Sequence, residues 1–145
     1  MAIQKYIPLT ARTFLAVIFI YTGIAKIGGF SGTQQQIASA GIPLAALVTV
    51  FTIVFEITGG VSILAGYKAR MGALLLLVFL TPATLVFHNP IGDPSQMIQF
   101  MKNLAIIGGL LMLLAYGSGP ISLERQVPSA GTAQYSKETA PYSES

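Results

Sequence analysis

Four long apolar stretches separated by short polar breaks organise most of this chain. The first runs roughly from Pro8 to Gly29, rich in Leu, Ile, Phe and Ala, and is stopped by Gly28-Gly29 and Gly32. The second covers about Ile42 to Gly66 and is entered through Gly41-Ile42-Pro43, where proline suits a first helical turn. The third runs from about Met71 to Phe87 and ends at Asn89-Pro90. The fourth covers about Met97 to Gly117 and closes on Gly117-Ser118-Gly119-Pro120. Each holds about 17–25 residues, enough to cross a hydrocarbon core about 30 Å thick at 1.5 Å per residue. A soluble bundle would show a polar face on each helix, and these stretches mostly do not. The pattern predicts an all-α fold, an integral membrane bundle of four transmembrane helices.

Composition agrees. Of 145 residues, 53% are hydrophobic and 9% charged, with a mean hydropathy of +0.70. Soluble domains carry about 25% charged residues. The net charge of +3 does not indicate nucleic-acid binding, because the basic residues are scattered and Lys68-Ala69-Arg70 is only a short turn. There is no cysteine, which excludes disulfides, thiol chemistry and cysteine-held iron–sulfur clusters in this chain. The N-terminus resembles a signal peptide, but Ala38-Ser39-Ala40 lies too far past the apolar run for ordinary processing, so an uncleaved first helix is expected.

The loop charges predict orientation. Lys5 and Arg12 precede or open the first span, and Lys68 and Arg70 sit in the second loop. The first loop, about Phe30 to Gly41, has no charge, and the third, about His88 to Gln96, has only Asp93 besides His88. The positive-inside rule then places both termini in the cytoplasm. Residues 1–123 read as the membrane domain. Residues 124–145, polar and without an apolar face, read as a flexible cytoplasmic tail.

Ionisable residues inside the spans are the candidate chemistry, since a charge at the bilayer centre costs about 2.5–3.5 kcal/mol and normally faces protein or a cavity. Glu56 lies near the middle of the second span, Lys26 near the outer end of the first, His88 at the outer end of the third, and Lys102 a turn into the fourth, followed by Asn103. Helical spacing groups them with small residues. The stripes are Arg12, Ala16, Phe19, Gly23 and Lys26; Glu56, Gly59, Gly60 and Ile63; Thr81, Thr84 and His88; and Lys102, Ala105 and Gly109. These stripes are expected to face the bundle centre, with Glu56 beside Lys26 or Lys102, while Leu76 is expected to face lipid. Two readings stay open. Glu56 is a proton donor and Lys26, His88, Lys102 and Asn103 bind substrate, or the lysines snorkel and Glu56 belongs to a structural ion pair.

Three blocks carry a family resemblance: Phe19-Ile20-Tyr21-Thr22-Gly23-Ile24-Ala25-Lys26; Phe55-Glu56-Ile57-Thr58-Gly59-Gly60 followed by Gly66-Tyr67-Lys68-Ala69-Arg70; and Phe100-Met101-Lys102-Asn103-Leu104-Ala105-Ile106-Ile107-Gly108-Gly109. With the closing Gly117-Ser118-Gly119-Pro120-Ile121-Ser122-Leu123, they resemble the DoxX family over about residues 10–123. The resemblance implies a four-helix protein of a bacterial or archaeal cytoplasmic (inner) membrane. Some members are associated with thiosulfate:quinone oxidoreductases and others with membrane oxidoreductase assemblies or detoxification. The related MauE-type proteins serve maturation of a periplasmic redox enzyme.

Three functions follow as expectations. The first is a redox subunit that binds quinone, with Glu56 handling protons; His88 alone cannot build a bis-histidine haem, so electrons would come from a partner. The second is a non-catalytic accessory or assembly subunit of a larger membrane complex, respiratory or photosynthetic, or a homo-oligomer. The third is a small-solute carrier. No cofactor of the chain's own and no metal is expected; quinone, lipids and a membrane partner are. Whether the chain is itself an enzyme stays open at this point.

Overall fold

The structure, a computed structural model, describes residues 2–126. After a 3-10 turn at Ala2–Lys5 come α1 (Ile7–Gly28), α2 (Phe30–Ser39), α3 (Ala45–Ala65) and α4 (Ala69–Phe87). A second 3-10 turn at Pro94–Gln96 leads into α5 (Met97–Tyr116), and α6 (Leu123–Gln126) is a single turn. Four helical segments are long and apolar enough to span a bilayer, Ala2–Gly28, Ala45–Ala65, Ala69–Phe87 and Pro94–Tyr116. The protein is a four-span helical membrane bundle. Most of the tail expected over 124–145 lies outside the described residues. Its first residues are tied to the bundle, with the Glu124 N–H donating to the Gly66 carbonyl (3.1 Å) and the Ser118 hydroxyl donating to Glu124 Oε2 (3.0 Å).

One segment differs from expectation. The first loop is largely helical, because α2 occupies Phe30–Ser39. Its Gln-rich, uncharged sequence carries no apolar stripe, and Ile37 is its one buried residue. A single apolar anchor is too little periodicity to announce a helix.

Helices α1, α3, α4 and α5 pack in that order around the bundle, and α1 and α5 meet at few positions, among them Leu15 against Gly109. Small residues set the close approaches. A Cβ at Gly60 would lie 2.8 Å from Ile20 Cγ1 and 3.4 Å from the Ala16 carbonyl, and one at Gly59 would lie 2.6 Å from Leu76 Cγ. Backbones come this near only where no side chain intervenes. Leu76 is therefore at 0% exposure in the core and does not face lipid, contrary to the sequence expectation. The small face of α3 is opposed by α1 on one side and by α4 on the other, so the α4 residue facing Gly59 is enclosed.

The expected stripes of α1 and α3 are buried, apart from a half-buried Lys26. That of α4 holds at the buried Thr84 and the half-buried His88, but Thr81 is exposed and Leu77 and Leu80 point inward. That of α5 is displaced: Lys102 and Ala105 are exposed, whereas Asn103, Leu110 and Leu113 point inward. On α5 the buried set is one residue out of phase with the stripe that begins at Lys102. Both neighbours, lysine and asparagine, are polar, and composition cannot choose between them.

Between α3 and α4 the chain turns within three residues. Gly66 has φ +70°, and its N–H donates to the Ser62 and Ile63 carbonyls (3.0 and 3.2 Å), while the Ser62 hydroxyl donates to the Tyr67 carbonyl (2.7 Å). Lys68 also takes a positive φ, 49°. This turn and the segment after α5 form one end of the bundle; α2 covers the other.

Candidate functional site: a polar chamber beneath α2

Lys26 and Glu56 form the one salt bridge among the described residues. Lys26 Nζ lies 2.8 Å from both carboxylate oxygens. The absence of a side chain one turn earlier on α1 permits it. A Cβ at Gly23 would sit 2.7 Å from Ile57 Cγ1 and 3.3 Å from Glu56 Cβ, so glycine lets α3 come close enough to present the acid. Glu56 is 4% exposed, while the Lys26 side chain remains 27% exposed. The pair therefore has a closed side and an open one.

The open side is a cavity of about 310 Å³, at the small end of the roughly 300–1,000 Å³ typical of small-molecule sites. All five residues singled out from sequence line it: Lys26, Glu56, His88, Lys102 and Asn103. Sequence reasoning missed Thr22, Thr33, Gln36 and Gln99, which add uncharged polar groups, and the aromatic walls Phe19, Phe79 and Phe87. The signal for Thr22 and Gln99 was present, as hydrogen-bonding residues within apolar spans. Thr33 and Gln36 depend on α2 being a helix that lies over the cavity.

The polar groups are held in defined orientations. Asn103 Nδ2 donates to Thr84 Oγ1 (3.1 Å), and that hydroxyl donates to the Leu80 carbonyl (2.7 Å). His88 Nδ1 lies 2.9 Å from Gln96 Oε1. An amide oxygen only accepts, so Nδ1 is the donor in this contact. Lys102 makes no hydrogen bond or ion pair to another side chain among the described residues. With Lys26 matched by Glu56, Lys102 leaves the chamber one positive charge in excess. No group of three or more His, Cys, Asp or Glu side chains arranged for a metal occurs among the described residues.

A second cavity, about 270 Å³ and almost wholly apolar, lies on the α3–α4 side between Val48, Phe51 and Phe55 of α3 and Val78, Pro82 and Val86 of α4. It shares Ile37, Thr52, Phe79, Ala83 and Phe87 with the chamber, so these five side chains form the partition between the two.

A buried charged group also lies at the opposite end. Arg12, 2% exposed, donates from Nη1 to the Ile63 carbonyl (3.2 Å) and from Nη2 to the Ile121 carbonyl. Its Nε has no hydrogen-bond partner among the described residues. It points into the bundle rather than toward headgroups.

Four apolar spans, an intramembrane ion pair and a polar chamber under a short covering helix define a small multi-pass helical membrane protein with an internal site. The chain belongs to the DoxX family, whose profile matches residues 7–89. It is 38% identical over 117 residues to the inner membrane protein YqjF of Escherichia coli, covering 81% of this chain and 88% of that one. It is 34% identical over 130 residues to the E. coli inner membrane protein YphA, covering 86% and 93%. A shorter likeness, 31% over 81 residues, links 52% of the chain to 26% of the ER-derived vesicles protein ERV29 of Saccharomyces cerevisiae. No solved structure matches. This is a multi-pass inner-membrane protein.

Proposed function

We propose that the chain is the membrane subunit of a quinone-linked redox system and that the chamber receives the quinone ring. The observation that carries this reading is the convergence of Lys26, Glu56, His88, Lys102 and Asn103 on one cavity with aromatic walls. The residue types fit the group. Lys102 and the Asn103 amide suit the ring carbonyls as donors, Phe19 and Phe79 suit its faces, and Glu56 is placed to pass a proton. When bound, a quinone accepts two electrons and two protons; a partner protein supplies the electrons. Lys26, paired with both carboxylate oxygens, keeps the Glu56 side chain aimed at the chamber.

The loop charges orient the bundle, with the Arg12–Lys68–Arg70 end in the cytoplasm and the chamber toward the outer face. A cysteine at Asp93 should then react with an impermeant reagent from outside, and one at Lys68 only after permeabilisation. The reverse pattern would overturn the orientation.

The functional test is binding of a water-soluble short-chain quinone to the purified full-length protein in nanodiscs. Lys102→Met and Asn103→Leu should each weaken binding by about tenfold, the loss of one hydrogen bond to a charged or buried partner. Unchanged binding in both would remove the quinone from the reading. The second reading, an accessory subunit of a larger membrane complex or a homo-oligomer, is favoured by α5, whose only buried residues are Asn103, Leu110 and Leu113. Its outer face, including Met101, Leu104, Leu111 and Met112, is exposed for a partner helix. Recovery of a stoichiometric complex that survives Lys102→Met and carries no quinone would select it.

A further inference from the structure

The partition between the chamber and the apolar groove has a low point. On α4, Phe79, Ala83 and Phe87 follow one another at i, i+4 and i+8, so they stand in one row along the helix. All three, with Ile37 and Thr52, line both cavities. Two of the row are phenylalanines, and the one between them offers only a methyl group. Pro82, next to this gap, lines the groove and has no N–H, so the Val78 carbonyl one turn earlier on the same wall has no intrahelical donor. The groove beyond is almost wholly apolar, whereas the chamber before it is polar and carries an excess positive charge. A polar site and an apolar channel that share one thin wall complement a molecule with a polar head and an apolar chain.

We infer that the chamber's ligand carries a single long apolar chain, which leaves the chamber over Ala83, between Phe79 and Phe87, and lies in the α3–α4 groove. The inference rests on the quinone reading and deepens it by assigning the tail seat. Ala83 is a specificity-determining position, because it sets whether a chain can pass. Ile37, the one buried residue of α2, roofs the gap. The other way out is the sparsely packed seam between α1 and α5, where Leu15 lies against Gly109. The apolar groove takes none of its lining from α1 or α5.

The test uses the full-length protein in nanodiscs and a quinone whose chain bears a photoreactive diazirine, with adducts located by mass spectrometry. Adducts are expected on residues 48–55 and 78–86, and they should be competed by the unmodified long-chain quinone. Ala83→Phe should lower them by at least about tenfold, the change that a 1.4 kcal/mol loss produces. Val86→Trp, which fills the groove from its lipid side, should do the same without altering the partition, and it covers the case in which Ala83→Phe does not fold. Adducts on Leu15 or Gly109 would overturn the inference, as would groove adducts indifferent to both substitutions. If chainless quinone binds the wild type but no competed groove adduct forms, the tail seat fails and the chamber stands. If no quinone binds the wild type and a plain alkyl diazirine labels the groove, the functional reading itself fails and the groove holds membrane lipid.

Discussion

The two ends of the bundle each bury a cation from the same face of α1, and they treat it oppositely. Arg12 is enclosed by backbone, its guanidinium bridging the end of α3 at Ile63 and the segment after α5 at Ile121. No carboxylate among the described residues meets it. Lys26, four turns further along, meets Glu56 and keeps an open side onto the chamber. Arginine suits the first task, because its planar fork can reach two carbonyls at once and its charge cannot be removed. Lysine suits the second, because one mobile ammonium can exchange one partner for another. A buried charge thus acts as a bolt where backbone closes over it and as part of a site where a cavity opens beside it.

Breaking the bolt should have the largest effect. Arg12→Met leaves the Ile63 and Ile121 carbonyls without their donor, and about 1–3 kcal/mol for each unsatisfied buried group puts the loss at about 2–6 kcal/mol. Arg12→Lys, which can serve one carbonyl but not both, should recover part of it. Thermal or denaturant unfolding in nanodiscs measures both. Equal stability of Arg12→Met and wild type would show that the enclosure is incidental.

The seam that joins the two ends comes next. Gly60→Ala places a Cβ against Ile20 and the Ala16 carbonyl, and overpacking of this kind costs about 1–3 kcal/mol. Because the seam carries both Arg12 and Lys26, this substitution should also loosen the Lys26–Glu56 pair. Hydrogen exchange would show greater opening along α1 at both ends.

Glu56→Gln is expected to cost less than its burial alone implies. Removing one partner of a fully buried pair costs about 3–5 kcal/mol, but the open side lets water reach Lys26, and about 1–2 kcal/mol remains. Lys26→Met combined with Glu56→Gln should lose less than the sum of the single changes. Met112→Ala, on the lipid-facing side of α5, is the near-neutral reference. A full 3–5 kcal/mol for Glu56→Gln would show the chamber to be dry and closed, which would erase the contrast between the ends.

The smallest effect belongs to the turn beneath the chamber's rim. Asp93 accepts from the Ser95 hydroxyl (2.7 Å) and N–H (3.0 Å), and the Ser95 side-chain hydrogen bond, with the backbone one, holds its pKa below the ordinary 3.8. A depressed carboxyl contributes stability above its unfolded pKa and loses it as pH falls through the folded value. Protection of residues 93–97 in hydrogen exchange should therefore be unchanged from neutral pH down to about 5 and fall below about 4. Asp93→Asn should remove that pH dependence.

Much of the site was legible because lipid makes polar residues conspicuous. Glu56 and Lys26 stood out against their spans, and the glycines beside Glu56 marked the face on which α1 and α4 close. What sequence missed is equally specific. Helix α2 lacked a stripe, so the roof of the chamber was invisible. The inward face of α5 was set one residue early, at Lys102 rather than Asn103, and Leu76 looked like any other leucine in a run of four. Phe79, Ala83 and Phe87 read as ordinary apolar residues. Their position on a wall between two cavities is a property of the helices around them.

Sequence alone determined the number of spans, the family and the list of residues too polar for lipid, because each follows from the cost of placing a given side chain or an unpaired backbone group in hydrocarbon. Tertiary structure decided which lysine meets Glu56, which face of α5 is buried, and that Arg12 is enclosed while Lys26 borders a cavity. Those outcomes depend on where helices approach and where they diverge, as α1 and α3 do at Gly60 and α1 and α5 do beside the chamber. Helix separation is set by the packing of residues far apart in the chain, so no local pattern records it.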